Sequence, residues 1–199
     1  MIAAFALLAL AAGDPDPDFH LYVLAGQSNM AGRGVPDAES RQAPPRVLML
    51  NRERVWVPAV DPVHFDKAAA GVGPAIAFGR RMAETHLKGR IGLIPCAVGG
   101  SSIRVWEPGA EDKATKTHPY DDLLARVREA QKAGVVKGIL WHQGESDRTA
   151  ADEYGAKLTA LVARLRKDLG VPDATFVAGE LTPFKPEVEA ATKSFNAIL

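Results

Sequence analysis

Three short segments of the sequence combine glycines with side chains suited to acyl-transfer chemistry. They are Ala25-Gly-Gln-Ser-Asn-Met-Ala-Gly32, Gly99-Gly-Ser-Ser-Ile103 and Trp141-His-Gln-Gly-Glu-Ser-Asp147. Each holds groups that a nucleophilic mechanism needs: a hydroxyl, unobstructed backbone N–H groups, or a histidine with a carboxylate. Their joint chemistry requires a fold that brings the three segments together.

Ser28 is the candidate nucleophile. A serine that follows a strand and opens a helix meets the free N–H groups of that helix, which favour negative charge on a nearby oxygen. Gly26 permits the sharp turn that this requires. Met30 stands where the G-x-S-x-G elbow of α/β-hydrolases has glycine, and the absence of a G-x-G-x-x-G or G-K-[ST] pattern disfavours nucleotide binding. The alternative is that Ser28 only caps the helix.

The other two segments supply candidate partners for Ser28. Gly100 lies in a turn without side chains, so its backbone N–H can approach a developing oxyanion. Gln143 and Glu145 flank Gly144 in an extended segment, so both can face one cleft. Gln143 is predicted to donate its amide to the oxyanion. Glu145 is predicted to orient a histidine or support the site, with a structural ion pair to an arginine as the alternative.

Five short apolar runs predict the strands that position these segments. They span residues 20–25, 46–50, 91–98, 136–141 and 175–178. Apolar residues at spacings of three and four predict the intervening helices. These span residues 74–87, 120–133 and 151–169, and residues 186–199 are a further candidate. The alternation predicts one parallel sheet with helices on both faces, and the three segments then meet at its carboxyl edge.

Composition limits the class of protein. The 199 residues suit one domain, and 24 basic residues balance 24 acidic ones, so the formal net charge is zero. Bulk charge therefore indicates neither a nucleic-acid partner nor an anionic membrane surface. The single cysteine, Cys96, excludes an internal disulfide and a cysteine-based zinc site, and it is expected to be buried. We expect no metal and no cofactor, and nothing in the sequence indicates the oligomeric state.

Residues 1–12 are predicted to be a signal peptide. The apolar run is too short to cross a bilayer, and Ala9-Leu-Ala11 resembles an A-x-A cleavage site. This predicts a secreted or periplasmic protein. No Lys or Arg precedes the run, so the alternative is a buried strand or helix of a cytosolic protein.

The three segments together resemble the sialate O-acetylesterase and carbohydrate esterase family 6 branch of the SGNH hydrolases. The likeness spans residues 18–199 and keeps the order of the segments. It implies an α/β fold, a flavodoxin-like three-layer αβα sandwich with a parallel five-stranded sheet, and metal-free hydrolysis of acetyl esters on sugars. Ser28 matches the family nucleophile, and Gly100 with the Ser28 N–H matches its oxyanion donors. Gln143 and Glu145 match its H-Q-G-E block, whose Glu is an acid partner in some members.

The general base departs from the family pattern. The family carries a histidine in a D-x-x-H block near its C-terminus, whereas no such block follows the helix that ends at Leu199. The sequence is therefore expected to be a fragment, the product of a truncated gene, or a domain that lacks its base. The substitutes are His142, inside the third segment, and His64, which has D-x-x-H spacing from Asp61. The three other histidines are expected at a strand start, a helix surface and a loop: His20, His86 and His118.

The resemblance makes an acetylated carbohydrate the expected substrate, hydrolysed through an acyl-enzyme on Ser28. Asn29, beside the nucleophile, and Trp106, as a sugar-stacking platform, are the predicted substrate-binding residues, with a core aromatic as the alternative for Trp106. Two alternatives stay open. One is a non-catalytic carbohydrate-binding protein on the same scaffold, and the other is a lipase or thioesterase of the wider SGNH group.

Overall fold

The computed structural model describes residues 14–199, which form a six-stranded sheet in the order β3-β2-β4-β1-β5-β6. The strands are β1 (Asp16–Gly26), β2 (Val47–Leu50), β3 (Trp56–Pro58), β4 (Arg90–Pro95), β5 (Gly134–His142) and β6 (Thr175–Ala178). The helices are α1 (Ser28–Ala31), α2 (Pro74–Thr85), α3 (Pro119–Ala130), α4 (Ala151–Asp168) and α5 (Glu189–Asn196), with 3₁₀ turns at Ile103–Trp106 and Pro186–Val188.

The central strand β1 divides the core into two layers. Phe19, Leu21 and Val23 pack with α3 and α4 on one face of the sheet. Tyr22 and Leu24 pack with α2 on the opposite face. Alternate residues of a strand point to opposite faces, so a continuous apolar run supplies both layers at once. The predicted three-layer αβα sandwich is confirmed.

All five predicted strands are present and mutually parallel, with β1 between β4 and β5. The predicted number of strands is wrong, because β3 adds a sixth that is antiparallel to β2. This strand has only three residues and ends at Pro58, so it leaves too short an apolar run to detect. The hairpin between the two strands is closed by Asn51, which bonds Val55 through its backbone and its side chain.

The first three predicted helices are confirmed as α2, α3 and α4, each ending one to three residues earlier than predicted. The candidate at residues 186–199 is a 3₁₀ turn followed by α5. Cys96 is buried as expected, and burial raises the pKa of its thiol to about 12. Within residues 14–199 no helix has the length and apolar character needed to cross a membrane. The predicted signal peptide lies outside the described residues, and export stays a prediction.

Arg126 of α3 holds the carboxyl ends of two strands. Its guanidinium donates to the carbonyl oxygens of Pro95 at 3.1 Å, Leu50 at 2.6 Å and Asn51 at 3.0 Å. Only 8% of the residue is exposed, so these carbonyls have little access to water. A buried carbonyl without a hydrogen-bond partner costs about 1–3 kcal/mol of folding free energy. Arg126 therefore stabilises the edge of the sheet where the site forms.

Replacing Arg126 with Met is therefore expected to lower the free energy of unfolding by about 3 kcal/mol. The three carbonyls lose their donors, while Met still fills the space of the aliphatic part of the arginine side chain. Urea denaturation measures this loss. The matched control is Arg128→Met on the exposed side of the same helix, whose change should stay under about 1 kcal/mol. Equal effects of the two substitutions would contradict this role for Arg126.

Candidate active site

Ser28 stands where β1 leaves the sheet. Gly26 has φ +128°, and a Cβ there would lie 2.2 Å from the carbonyl oxygen of His142, so only glycine fits. The Gln27 N–H donates to that same oxygen at 2.9 Å, which ties the turn to the end of β5. Ser28 then opens α1 and is half-buried at the carboxyl edge of the sheet. The sequence prediction of this location is confirmed.

The turn at Gly99 and Gly100 lies beside the Ser28 turn. The Val98 N–H donates to the carbonyl of Gly26 at 2.9 Å. Ser28 and Gly100 each lie two residues after one of these hydrogen-bonded residues, so the two turns are held side by side. Gly100 has φ +81°, a left-handed conformation that glycine adopts without strain. Among the described residues, neither the N–H of Ser28 nor that of Gly100 donates to a protein acceptor. Both donors are thus free to bind a ligand oxygen.

Gln143 takes a different position from the one predicted. Its side chain is fully buried, and Nε2 donates to Gln27 Oε1 at 3.1 Å, to the Ser101 carbonyl at 2.9 Å and to Asp147 Oδ2 at 2.5 Å. Three acceptors compete for two N–H groups, so none is left for an oxyanion. Gln143 is a buried link between the segments, and its assignment as an oxyanion donor is corrected.

Asp147 completes this buried network, although no sequence pattern identified it as a site residue. Its carboxylate also accepts from the Ser102 hydroxyl at 2.6 Å and the Ile103 N–H at 2.8 Å. Only 6% of the residue is exposed. A buried carboxylate needs donors, and these come from the segment that follows Gly100. In the sequence, Asp147 lies four residues after Gln143. This spacing alone does not show that the two side chains point toward each other.

Glu145 lies against the helix that carries the nucleophile. One of its carboxylate oxygens accepts from the side-chain amide of Asn29, the residue after Ser28. The same oxygen is 3.9 Å from Nδ1 of His142. Its second oxygen is buried and has no partner among the described residues. Glu145 is therefore hydrogen-bonded to the residue beside Ser28, and no arginine pairs with it in residues 14–199. Its role as an acid partner or site support stays a prediction.

His142 is at this end of the sheet but is not bonded to Ser28. Its ring packs against Gly179, where a Cβ would lie 2.8 Å from the ring. Nδ1 is buried and has no hydrogen-bond partner in residues 14–199. Its role as a base stays a prediction.

Trp106 cannot stack on a sugar in this structure, which corrects its predicted role. The residue is fully buried, and its indole N–H donates to the Ser101 hydroxyl at 3.1 Å. Its ring meets Trp141 edge to face, with 4.9 Å between centroids. The 3₁₀ turn at Ile103–Trp106 folds the indole into the core, a conformation that the polar residues after it did not indicate. Asn29 remains exposed beside Ser28 and stays a prediction as a substrate contact.

The alternative base, His64, is buried, with 2% of the residue exposed. Burial lowers the pKa of its imidazole to about 4, and burial raises the pKa of the Asp61 carboxyl to about 6. Within the described residues the two side chains are not hydrogen-bonded to each other or to Ser28. The D-x-x-H spacing at Asp61 therefore does not build a catalytic pair.

His64 lines a cavity of about 360 Å³ whose wall includes Val98, the residue before Gly99. Its lining includes three arginines, Arg52, Arg54 and Arg126, and the two carboxylates of Asp66 and Asp122. None of these arginines forms an ion pair within residues 14–199. With His64 uncharged, the cavity carries a net positive charge and suits a ligand with an anionic group.

Taken together, the sheet order, the serine at the end of its central strand and the two free N–H groups define an α/β ester hydrolase of the SGNH type. The chain belongs to the family described as carbohydrate esterase, sialic acid-specific acetylesterase, whose sequence model matches residues 18–198. It is thereby a carboxylic ester hydrolase. Among the described residues there is no cluster of three or more His, Cys, Asp or Glu that could hold a metal ion.

Named relatives agree with this assignment. A protein of Arabidopsis thaliana, named a probable carbohydrate esterase, is 35% identical over 187 residues, covering 82% of this chain and 69% of that protein. The X-ray structure of that Arabidopsis protein has a TM-score of 0.76 at 31% identity, covering 89% of this chain and 80% of that one.

Two more distant structures share the fold. NanS has a TM-score of 0.73 at 22% identity, over 91% of this chain and 73% of that one. A carbohydrate acetylesterase from Xanthomonas citri has a TM-score of 0.65 at 19% identity, over 89% of this chain and 46% of that one.

The buried His64 predicts a loss of stability in acid. The unfolded chain binds a proton below pH 6.5, whereas folded His64 binds it only near pH 4. The contribution of His64 is therefore fully present above pH 6.5 and is lost as pH falls toward 4, by about 3 kcal/mol. His64→Gln should flatten this loss between about pH 7.5 and pH 4.5, measured by urea denaturation.

The matched control is His118→Gln at an exposed position, which should keep the acid loss of the unmodified chain. Because burial raises the pKa of Asp61, its contribution to stability changes with pH in the opposite direction. Asp61 is present in all three proteins, so it does not affect the comparison between them. Equal pH slopes for His64→Gln and the unmodified chain would show that His64 does not titrate as described.

Proposed function

We propose that this protein is a serine esterase that removes O-acetyl groups from a carbohydrate through an acetyl-enzyme on Ser28. The observation that carries the proposal is the pair of free N–H groups, from Ser28 and Gly100, beside a half-buried serine hydroxyl. Two such donors stabilise the oxyanion of an ester's tetrahedral intermediate.

In this mechanism the Ser28 oxygen attacks the acetyl carbonyl while a general base takes its proton. The tetrahedral oxyanion accepts hydrogen bonds from the N–H groups of Ser28 and Gly100. Its collapse releases the sugar hydroxyl, which regains a proton, and leaves acetyl-Ser28. Water, deprotonated by the same base, then attacks the acetyl group, and acetate leaves.

Two histidines are candidates for the base. His142 is the candidate among the described residues, since it lies at the end of β5 with Nδ1 3.9 Å from Glu145. The alternative is a histidine in a D-x-x-H block, which the family carries after the segment that this sequence contains. His142→Ala separates them, because it abolishes Ser28-dependent hydrolysis only if His142 is the base.

Replacing Ser28 with Ala should lower kcat for p-nitrophenyl acetate by about 10³-fold or more, since only the oxyanion donors and binding remain. Steady-state hydrolysis with folding checked by circular dichroism measures this. Ser194→Ala, at an exposed position on α5, is the matched control and should be fully active.

Two results would contradict the esterase. Hydrolysis that survives Ser28→Ala would place the chemistry elsewhere. A folded, unmodified protein that binds acetylated sugars without Ser28-dependent hydrolysis would instead support the non-catalytic carbohydrate-binding protein. Preference for long acyl chains over acetyl would favour the lipase or thioesterase.

For the sugar, we propose one that carries a carboxylate, a sialate rather than a neutral xylan. The support is the arginine-lined cavity, whose wall reaches Val98, two residues from Gly100. Two residues span at most about 7.6 Å, so a sugar whose acetyl ester lies at Ser28 can extend into the cavity. Arg52 and Arg54 are both exposed, but Arg52 donates to the Phe65 carbonyl at 2.7 Å, so Arg54 is the one that can meet a carboxylate without breaking a side-chain hydrogen bond among the described residues.

Arg54→Asn should lower kcat/KM for O-acetylated sialic acid about tenfold, the effect of one lost charge-assisted hydrogen bond. Asn suits the left-handed backbone at this position, where φ is +62°. Acetylated xylose should be hydrolysed as before, and Arg41→Gln, at an exposed site elsewhere, should change neither. An equal loss with both sugars would contradict carboxylate recognition by Arg54.

A further inference from the structure

The loop before α2 holds Gly99 at two points. Asp66 Oδ2 accepts from the Gly99 N–H at 2.7 Å. The ammonium of Lys67, the next residue, donates to the Gly99 carbonyl oxygen. A larger residue at position 99 would disturb the Asp66 contact, since a Cβ there would lie 2.2 Å from Arg33 Nη2 and 2.7 Å from Asp66 Oδ2. Adjacent side chains thus hold both polar groups of one glycine.

The second of these contacts bears on the oxyanion site. The carbonyl of Gly99 and the N–H of Gly100 belong to one planar peptide unit and point in opposite directions. A cation that donates to the carbonyl therefore fixes the direction of the N–H. It also polarises the peptide, which makes the N–H a stronger donor.

The same loop is connected to the nucleophile turn. Arg33 Nη2 lies 3.4 Å from Asp66 Oδ2, and only 2% of the Asp66 side chain is exposed. Arg33 also donates through Nη1 to the carbonyl of Gly32, which ends the helix that Ser28 begins. Asp66 is thus linked both to the Gly100 turn and to the helix of Ser28.

A purely structural role would not require Lys67. Lys67 is exposed and its hydrogen bond to the Gly99 carbonyl is only part-buried, so water could reach this carbonyl if the lysine were absent. Lys67 instead places its charge within 3.7 Å of the space that a Gly100 side chain would occupy. From these contacts we propose that Asp66 and Lys67 are positioning residues of the oxyanion site, which aim and strengthen the Gly100 N–H. This inference rests on the proposed esterase function.

Lys67→Met should lower kcat for p-nitrophenyl acetate about 10- to 100-fold with little change in KM, because the oxyanion forms only in the transition state. Lys67→Arg retains a cationic donor and should recover most of the activity. Lys88→Met, at an exposed lysine before β4, is the matched control and should match the unmodified protein.

A spectroscopic readout separates positioning from general loss of structure. In protein labelled with ¹³C and ¹⁵N glycine, Lys67→Met should move the Gly99 carbonyl and Gly100 amide-proton resonances upfield, since a hydrogen bond to the carbonyl deshields both. Lys67→Arg should leave both near their original positions. Circular dichroism should show all variants folded.

The outcomes are distinct. An unmodified protein without Ser28-dependent hydrolysis overturns the proposed function, and this inference with it. An active protein whose kcat is unchanged by Lys67→Met overturns the positioning role alone. So does a kcat that falls without movement of the two glycine resonances, or one that falls only in proportion to the folded fraction.

Discussion

The site depends on one buried amide. Gln143 Nε2 joins Gln27, which precedes the nucleophile, to Ser101, which follows the oxyanion glycine, and to Asp147 behind both. The Asp147 carboxylate has no cationic partner within residues 14–199 and is held by neutral donors alone. Leaving such a group unpaired costs several kcal/mol, so the network resists any movement that separates the two turns.

Above this network, glycine geometry sets the distance between the turns. The approach of Gly26 to the His142 carbonyl leaves no space for a side chain, and the Gly26 carbonyl in turn accepts from Val98. The carboxyl ends of the neighbouring parallel strands β4, β1 and β5 therefore lie side by side at the same edge of the sheet. The chemistry needs only backbone N–H groups and one hydroxyl there, which places demands on the backbone rather than on reactive side chains.

Sequence patterns were sufficient for most of the fold, because buried parallel strands appear as short apolar runs and their carboxyl ends must share an edge. Those patterns located Ser28 and Gly100 but not the direction of neighbouring side chains. Gln143 and Trp106 lie in the predicted segments, yet both point into the core. Both side chains donate hydrogen bonds to Ser101, which fixes their orientation. The spacing of residues in the sequence does not predict these hydrogen bonds. The short β3 was missed for lack of length.

The central claim is that the N–H groups of Ser28 and Gly100 together bind an oxyanion above the Gln143 network. A crystal structure of the protein inactivated with a p-nitrophenyl alkylphosphonate tests it most directly, because the phosphonyl oxygen mimics the oxyanion. The account predicts phosphorus bonded to Ser28 Oγ and one phosphonyl oxygen about 3 Å from both nitrogens. A phosphonyl group on another residue, or an oxygen turned away from the Gly100 N–H, would contradict it.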